Sequence, residues 1–544
     1  MGRIIRICKP ACCALLLALP TAVFAKTDDA IRDYASARLA EIGYRDDLAL
    51  KTYQKLYRLA PDSEILADRL LSSAVRSGDM TTAVRAARAM ELRNGGSSET
   101  ALLLYADAFR SKNWAMAELA ADELAISGNF AFMTPVLKSW VRVAVGKSAE
   151  LPEADPQQEP FYAYYSSDQR IYLQLASGEI ATAKYGLRAI AMQPDEYVRD
   201  LLISSVGPIA GSGDKLFADA LLRSAWRSDG LPPPLVRPAS RLAVQTGLSA
   251  LYRRVAMALI DQDVPEQGLL LARIAQWIAP QDEATRVAVA KALSANNLSD
   301  TGLAGLAGIA PSSAYWIAAL EQRLSILSAR GKQSEAIAVV ADAAMKEPGA
   351  LAVKLLQARV YEANGDLPTA VATYRTLVSS AETAKVSPRQ LGNYRLLLAS
   401  ALDRSGDWQN AKAELEKILV LDPNNAQVLN YLGYSLLEKG MDQARATTMV
   451  KRAYDMSPDS SAIADSLGWA YFLDGKVTQA LPLLEKAART AENDAAISEH
   501  LGDAYWTLGR RRDARYAWNN ARQSAEGDVL ARLTGKIDFG LAKR

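Results

Sequence analysis

Few residues in this sequence have the types and spacing that chemistry requires. The stretch KIDFGLAKR, residues 536–544, contains Asp538-Phe539-Gly540, the triplet with which a protein kinase holds magnesium. Kinase chemistry also needs a glycine-rich phosphate loop, a strand lysine and a His-Arg-Asp catalytic loop upstream. The sequence has one histidine, His500 in SEHLGDAYW, and no Arg-Asp follows it. An activation segment runs on to an anchoring end, whereas four residues follow Gly540. The triplet reads as a coincidence in a C-terminal tail, with Phe539 and Leu541 expected to pack on the last helix as a cap.

Other catalytic patterns fail in the same way. Gly146-Lys147-Ser148 would need glycine at 141 for a phosphate-binding loop, and Val141 stands there. Gly211 and Gly213 lack the third glycine of a dinucleotide site. A single histidine excludes His-pair zinc motifs and argues against a Ser-His-Asp site. His500 reads as a surface or half-buried helix residue. The carboxylates fall on turns and helix faces. No catalytic, cofactor-binding or metal-binding residue is expected, and the reading is of a protein that is not an enzyme.

The N-terminus reads as a processing signal. Arg3, Arg6 and Lys9 precede the apolar stretch Ala11–Ala25, which ends in Val23-Phe24-Ala25. Small residues at −3 and −1 suit signal peptidase, and the stretch is short for a membrane span. Cleavage after Ala25 would give a periplasmic chain beginning at Lys26. Cys8, Cys12 and Cys13 are the only cysteines, so the mature chain would have no disulfide and no thiolate site. Export would remove three of 63 Lys+Arg and none of 61 Asp+Glu, leaving a net charge of −1. That balance argues against nucleic-acid binding. The run Arg510-Arg511-Arg512 reads as a solvated turn.

The dominant feature is a repeat. Ala399, Gly433, Gly468 and Gly502 are spaced by 34, 35 and 34 residues. Three residues past each stands Leu402, Leu436, Tyr471 or Tyr505, and seven past each stands Gly406, Gly440, Gly475 or Gly509. Alanine follows near Ala411, Ala444, Ala480 and Ala514, and Pro423 and Pro458 close the first two units. Each unit thus reads as two amphipathic helices. A small anchor lets them cross closely, glycine ends the first, and alanine keeps the second near it. No unit can bury its apolar face alone, so units must stack. The phase continues backwards through Ala358, Leu324, Ala290 and Ala256, and Ala37, Leu71 and Tyr105 are again 34 apart.

This pattern resembles the tetratricopeptide repeat family, over about four fifths of the mature chain. The resemblance implies an all-α fold, a right-handed α-solenoid of about 12–14 stacked helix-turn-helix units. Two stretches break the phase: SAELPEADPQQEP at 148–160 and DGLPPPLVRP at 229–238. The expected organisation is a signal at 1–25, repeats at 26–147, an acidic proline-rich loop at 148–160 and degenerate repeats at 161–228. A break at 229–240, middle repeats at 241–385, the clearest array at 386–525 and a tail at 526–544 complete it.

In this family the first helix of each unit lines a concave groove. By that resemblance, positions one and four past the anchor, and three before it, face a partner. They hold Asn430, Tyr434 and Leu437, then Asp465, Trp469 and Phe472, then Glu499, Asp503 and Trp506. The expectation is an aromatic stripe edged with acid, with the alternative that the rings fill gaps between first helices. The Lys-Asn clamp with which some members grip a C-terminal carboxylate is not matched, because Tyr434 and Trp469 stand where asparagine is needed. Resemblance to exported members from Gram-negative bacteria implies an envelope protein or peptide segment as partner, in outer-membrane assembly, polysaccharide export or protease adaptation. The competing reading is an envelope protein that binds or processes glycan through an unrecognised site.

Overall fold

The computed structural model describes residues 28–541 except 94–95, 154–158, 191–195, 227–236 and 492. The expected signal with its cysteines, and most of the expected break at 229–240, lie outside the described residues. Those described hold 28 α-helices, one short 3-10 turn and no strand. The chain divides into two compact units, with the division between Val353 and Lys354.

In the first unit α1 is Asp28–Ile42, α2 Asp46–Leu59, α3 Glu64–Ser77, α4 Met80–Glu91, α5 Ser98–Arg110 and α6 Trp114–Ser127. Next come α7 Thr134–Ala144, α8 Pro160–Ser177, α9 Ile180–Ile190, α10 Glu196–Gly211, α11 Lys215–Trp226 and α12 Val244–Asp261. The unit continues with α13 Pro265–Ile278, α14 Glu283–Ala295, α15 Ser299–Leu306, α16 Trp316–Ala329 and α17 Gln333–Lys346, and α18, Leu351–Ala363, spans the division. The second unit holds α19 Leu367–Thr383, α20 Pro388–Arg404, α21 Trp408–Leu421, α22 Ala426–Glu438, α23 Gln443–Met456 and α24 Ser461–Leu473. It ends with α25 Val477–Thr490, α26 Ala495–Thr507, α27 Arg511–Ser524 and α28 Gly527–Phe539.

Local sequence explains the helix pairs. Gly78, Gly365 and Gly406 end first helices at φ 87, 80 and 86, a left-handed conformation that glycine adopts at little cost. Asp79, Asp366 and Asp407 then cap the next helices, accepting the backbone N–H of Thr82, Thr369 and Asn410. The small anchors are sterically required. A β-carbon at Gly502 would sit 2.3 Å from Trp518 Nε1. Ala411, Ala480 and Ala514 are fully buried on the second helices, as expected, but Ala444 is exposed and Ala446 takes the buried place. The turn after Gly440 is one residue longer than its counterparts, with Asp442 left-handed at φ 42 and capping Arg445.

The first unit closes on itself. α12 packs on α7 and α8, and α13 packs on α3, α4 and α5. The Tyr252 hydroxyl donates to the Leu102 carbonyl at 3.1 Å. Arg273 donates to the Val75 and Arg76 carbonyls at the end of α3, at 3.2 and 3.3 Å, where a helix leaves acceptors unpaired. Trp140 is fully buried beneath Gly247 and donates to Gln169 Oε1 at 2.9 Å. Arg253 bridges Asp200 and Asp282, and Asp200 also accepts from Tyr172 and Tyr315. Ion pairs about one unit apart recur along the surface: Arg76–Asp46, Lys184–Asp214, Lys291–Asp261 and Arg330–Asp300.

In the second unit the helices stack in order, each first helix also touching the next first helix from α22 to α26. Within 526–544, expected as a tail, Gly527–Phe539 form helix α28 against α27. Leu541 packs as anticipated, but Phe539 is 88% exposed. Gly540 lies against Trp506, where a β-carbon would fall 1.9 Å from the ring. The glycine of the kinase-like triplet is thus where the chain passes over an indole.

Candidate functional site

The expected groove residues sit on three successive first helices. Asn430, Tyr434 and Leu437 are on α22, Asp465, Trp469 and Phe472 on α24, and Glu499, Asp503 and Trp506 on α26. Three of them, Tyr434, Asp465 and Trp469, meet at His500, and Phe472 joins through Trp469. The Trp469 indole stacks on the His500 imidazole with centroids 4.0 Å apart and on Phe472 at 5.0 Å. The Tyr434 ring lies 6.2 Å from His500, two units away in sequence. His500 Nδ1 is 2.9 Å from Asp465 Oδ2, and Trp469 Nε1 donates to Glu438 Oε1 at 2.8 Å. Trp469 is 7% exposed, so the aromatic stripe is packed between first helices. Leu437 is buried as well. Asn430 is half-buried, with its side-chain oxygen unpaired.

Glu499, Asp503 and Trp506 meet the C-terminal segment instead. Glu499 accepts from Arg532 Nε and Nη2, both at 2.8 Å, and from Lys536 Nζ at 2.7 Å. Asp503 accepts from Lys536 at 2.7 Å and from Trp518 Nε1 at 2.9 Å. Trp506 is half-buried, 5.3 Å from the Trp518 ring, with Arg511 and Arg515 over its face. The basic run read as a solvated turn therefore includes Arg511 held over an aromatic ring.

With this geometry in view, comparison with known proteins is informative. The tetratricopeptide repeat model matches residues 396–461 and 466–528. Those two stretches carry tetratricopeptide repeats. The "TPR repeat-containing protein PA4667" of Pseudomonas aeruginosa (strain PAO1) is 31% identical over 85 residues, 16% of this chain and 14% of that protein. The chain thus spans only a small part of that relative's length. Among solved structures, yeast Tom70 is 13% identical, with 94% of this chain and 95% of that chain covered and a TM-score of 0.36. The Cut9–Hcn1 structure of the APC/C is 14% identical, with 94% and 97% covered and a TM-score of 0.35.

The matched repeats include the ring-and-acid cluster except Asp465, which falls between the two matched stretches, and the last helix. Burial works to lower the His500 pKa, but the charge and hydrogen bond of Asp465 outweigh it and hold it above the usual histidine value. Burial also works to raise Glu499, yet the hydrogen bonds from Arg532 and Lys536 prevail and keep it at about 2. Asp503 goes the other way: its burial outweighs Lys536 and raises it. Burial, helped by Glu438 and Asp465, lifts the Tyr434 phenol far above neutrality. Such a face can hold cations and cationic side chains.

Among the described residues, no group of three or more His, Cys, Asp and Glu side chains is placed to hold a metal ion. No helix described is long and apolar enough to cross a membrane. Sequence reasoning passed over His500, Glu438, Arg532 and Lys536. A signal existed: Asp465 and His500 are 35 residues apart, and Gly502 and Lys536 are 34 apart. The repeat period therefore runs on into α28.

Proposed function

We propose that this chain is an exported, non-catalytic adaptor of the Gram-negative cell envelope that holds a protein segment on the inner face of its C-terminal repeats. Tetratricopeptide repeats are protein-interaction scaffolds, and the repeat match supports that much. The observation that carries the finer reading is the meeting of Tyr434, Trp469, His500 and Asp465, from three separate first helices, on one face. The buried rings and acid hold the half-buried Tyr434 in place as the ring that meets a partner. The three-part N-terminal pattern supports export to the periplasm.

The test is a chain with Trp469→Ala and Trp506→Ala, assayed for capture of envelope proteins beside its melting temperature. Lost capture at an unchanged melting temperature supports the reading. Unchanged capture, or both falling together, refutes it. N-terminal sequencing of the exported chain should begin at Lys26, and full-length chain in the inner membrane would contradict export.

A further inference from the structure

The C-terminal helix is held unlike the other helices of its unit. Of its residues, Leu533 alone is buried, while Leu530 is 39% exposed and Phe539 more so. It rests on α27 and reaches α26 with the long side chains of Arg532 and Lys536. The face it reaches is acidic. Glu438, Asp465, Glu499 and Asp503 gather there on α22, α24 and α26, with His500 as the basic group among them. Arg532 is near enough to feel Glu438, Glu499 and Asp503 together. Beyond the helix, Gly540 crosses Trp506, and Leu541 packs beside the Trp469 and Phe472 rings.

We propose that α28 is a displaceable occupant of this face, and that the face takes a basic amphipathic helix from a partner protein. The partner helix has the chemistry of α28: two cations one turn apart, as at Arg532 and Lys536, with a leucine beside them, as at Leu533. This rests on the reading of the inner face as the partner site and names what that site binds. Charge complementarity is the first argument. Without α28, four carboxylates face one histidine. The second is the manner of attachment. Arg532, 54% exposed, exchanges partners readily, whereas Lys536, 15% exposed, is the cation that a partner helix must replace. The own helix competes through high effective concentration, being tethered a few residues from α27. A partner helix succeeds by adding apolar contacts beyond those of Val529, Leu533 and Ile537.

The experiment uses the full chain with Arg532→Glu and Lys536→Glu, which sets like charges against Glu499 and Asp503. The probe is a fluorescein-labelled peptide of residues 526–541 with the native sequence. It is expected to bind the double variant at least tenfold more tightly than the wild-type chain, and more weakly as salt is raised. Adding Glu499→Gln and Asp503→Asn should abolish the gain. Hydrogen exchange on the wild-type chain provides a check without mutation. Amides of 527–539 should exchange at least tenfold faster than those of 495–507. Equal peptide binding to both chains, or equal protection of α28 and α26, would overturn the proposal. So would a wild-type chain that dimerises while the double variant stays monomeric, since the occupant would then be a second copy's α28. No native partner enters these measurements. Their failure leaves the Trp469 and Trp506 test of the face itself standing.

Discussion

The two units use paired helices in opposite ways. In the first, the inner side is filled by the chain's own α12 and α13, held by Trp140, Tyr252 and Arg273. In the second, the inner side carries rings and carboxylates, and its end is covered by one helix with a single buried residue. Apolar filling makes a permanent core, because a large side chain cannot leave without opening a cavity. Ionic covering makes an exchangeable contact. The same helix pair thus serves as structural filler in one unit and as a receptive face in the other.

Mutation at Trp140 gives the strongest test of that contrast. Trp140→Ala should cost the first unit about 3–5 kcal/mol, seen as an earlier denaturant midpoint for reporters before residue 353. The second unit should keep its midpoint. A loss below about 1 kcal/mol would mean that the filling is not what holds the first unit.

Next in size is Arg253→Met. Removing this cation leaves Asp200 and Asp282 buried without compensation, a change worth about 3 kcal/mol. The loss should shrink as pH falls and Asp282, raised by its burial, takes up a proton. A pH-independent loss would assign the effect to packing.

Glu499→Gln should cost the second unit about 1–2 kcal/mol. The loss should appear mainly as faster amide exchange in α28, with the first unit unchanged. Uniform destabilisation of α22 to α28 would remove the distinction between a covering helix and an integral one.

The pH responses are smallest. Glu499 is held at about 2, below the ordinary 4.5. A depressed carboxyl stabilises above about pH 4.5 and loses that contribution as pH falls through about 2. Exchange in α28 should therefore quicken across that window. His500 is shifted upwards. Its contribution is complete below the ordinary histidine value and is lost as pH rises through the folded one. The melting temperature of the second unit should thus drop by a few degrees on the alkaline side, and His500→Gln should flatten the slope.

Much of the architecture was legible because it is periodic. Gly433, Gly468 and Gly502 sit where a second helix approaches too closely for a side chain, and the Gly-Asp turns read directly as caps. Ala444 was misplaced by a single extra turn residue at Asp442, which no periodic template contains. His500 was read as a surface or half-buried residue because its partner, Asp465, lies one unit away and only stacking brings them together. The residues of α28 looked like a tail because Lys536 stands where earlier units have glycine or alanine. The packing of α12 on α7 and α8, and of α13 on α3 to α5, leaves no trace in the period, since it joins segments up to 198 residues apart.

The ion pairs that recur from unit to unit have a consequence for how such a chain can change length. Arg76 with Asp46, Lys291 with Asp261 and Arg330 with Asp300 each join one unit to its neighbour at a separation of 30 residues. Individually they add little stability, but the unit of α14 and α15 carries half of a bridge in both directions, through Lys291 and Asp300. That unit, duplicated by recombination, would therefore arrive with charges already matched to the units on either side. Its junctions would be compatible from the first generation, before selection had altered a residue.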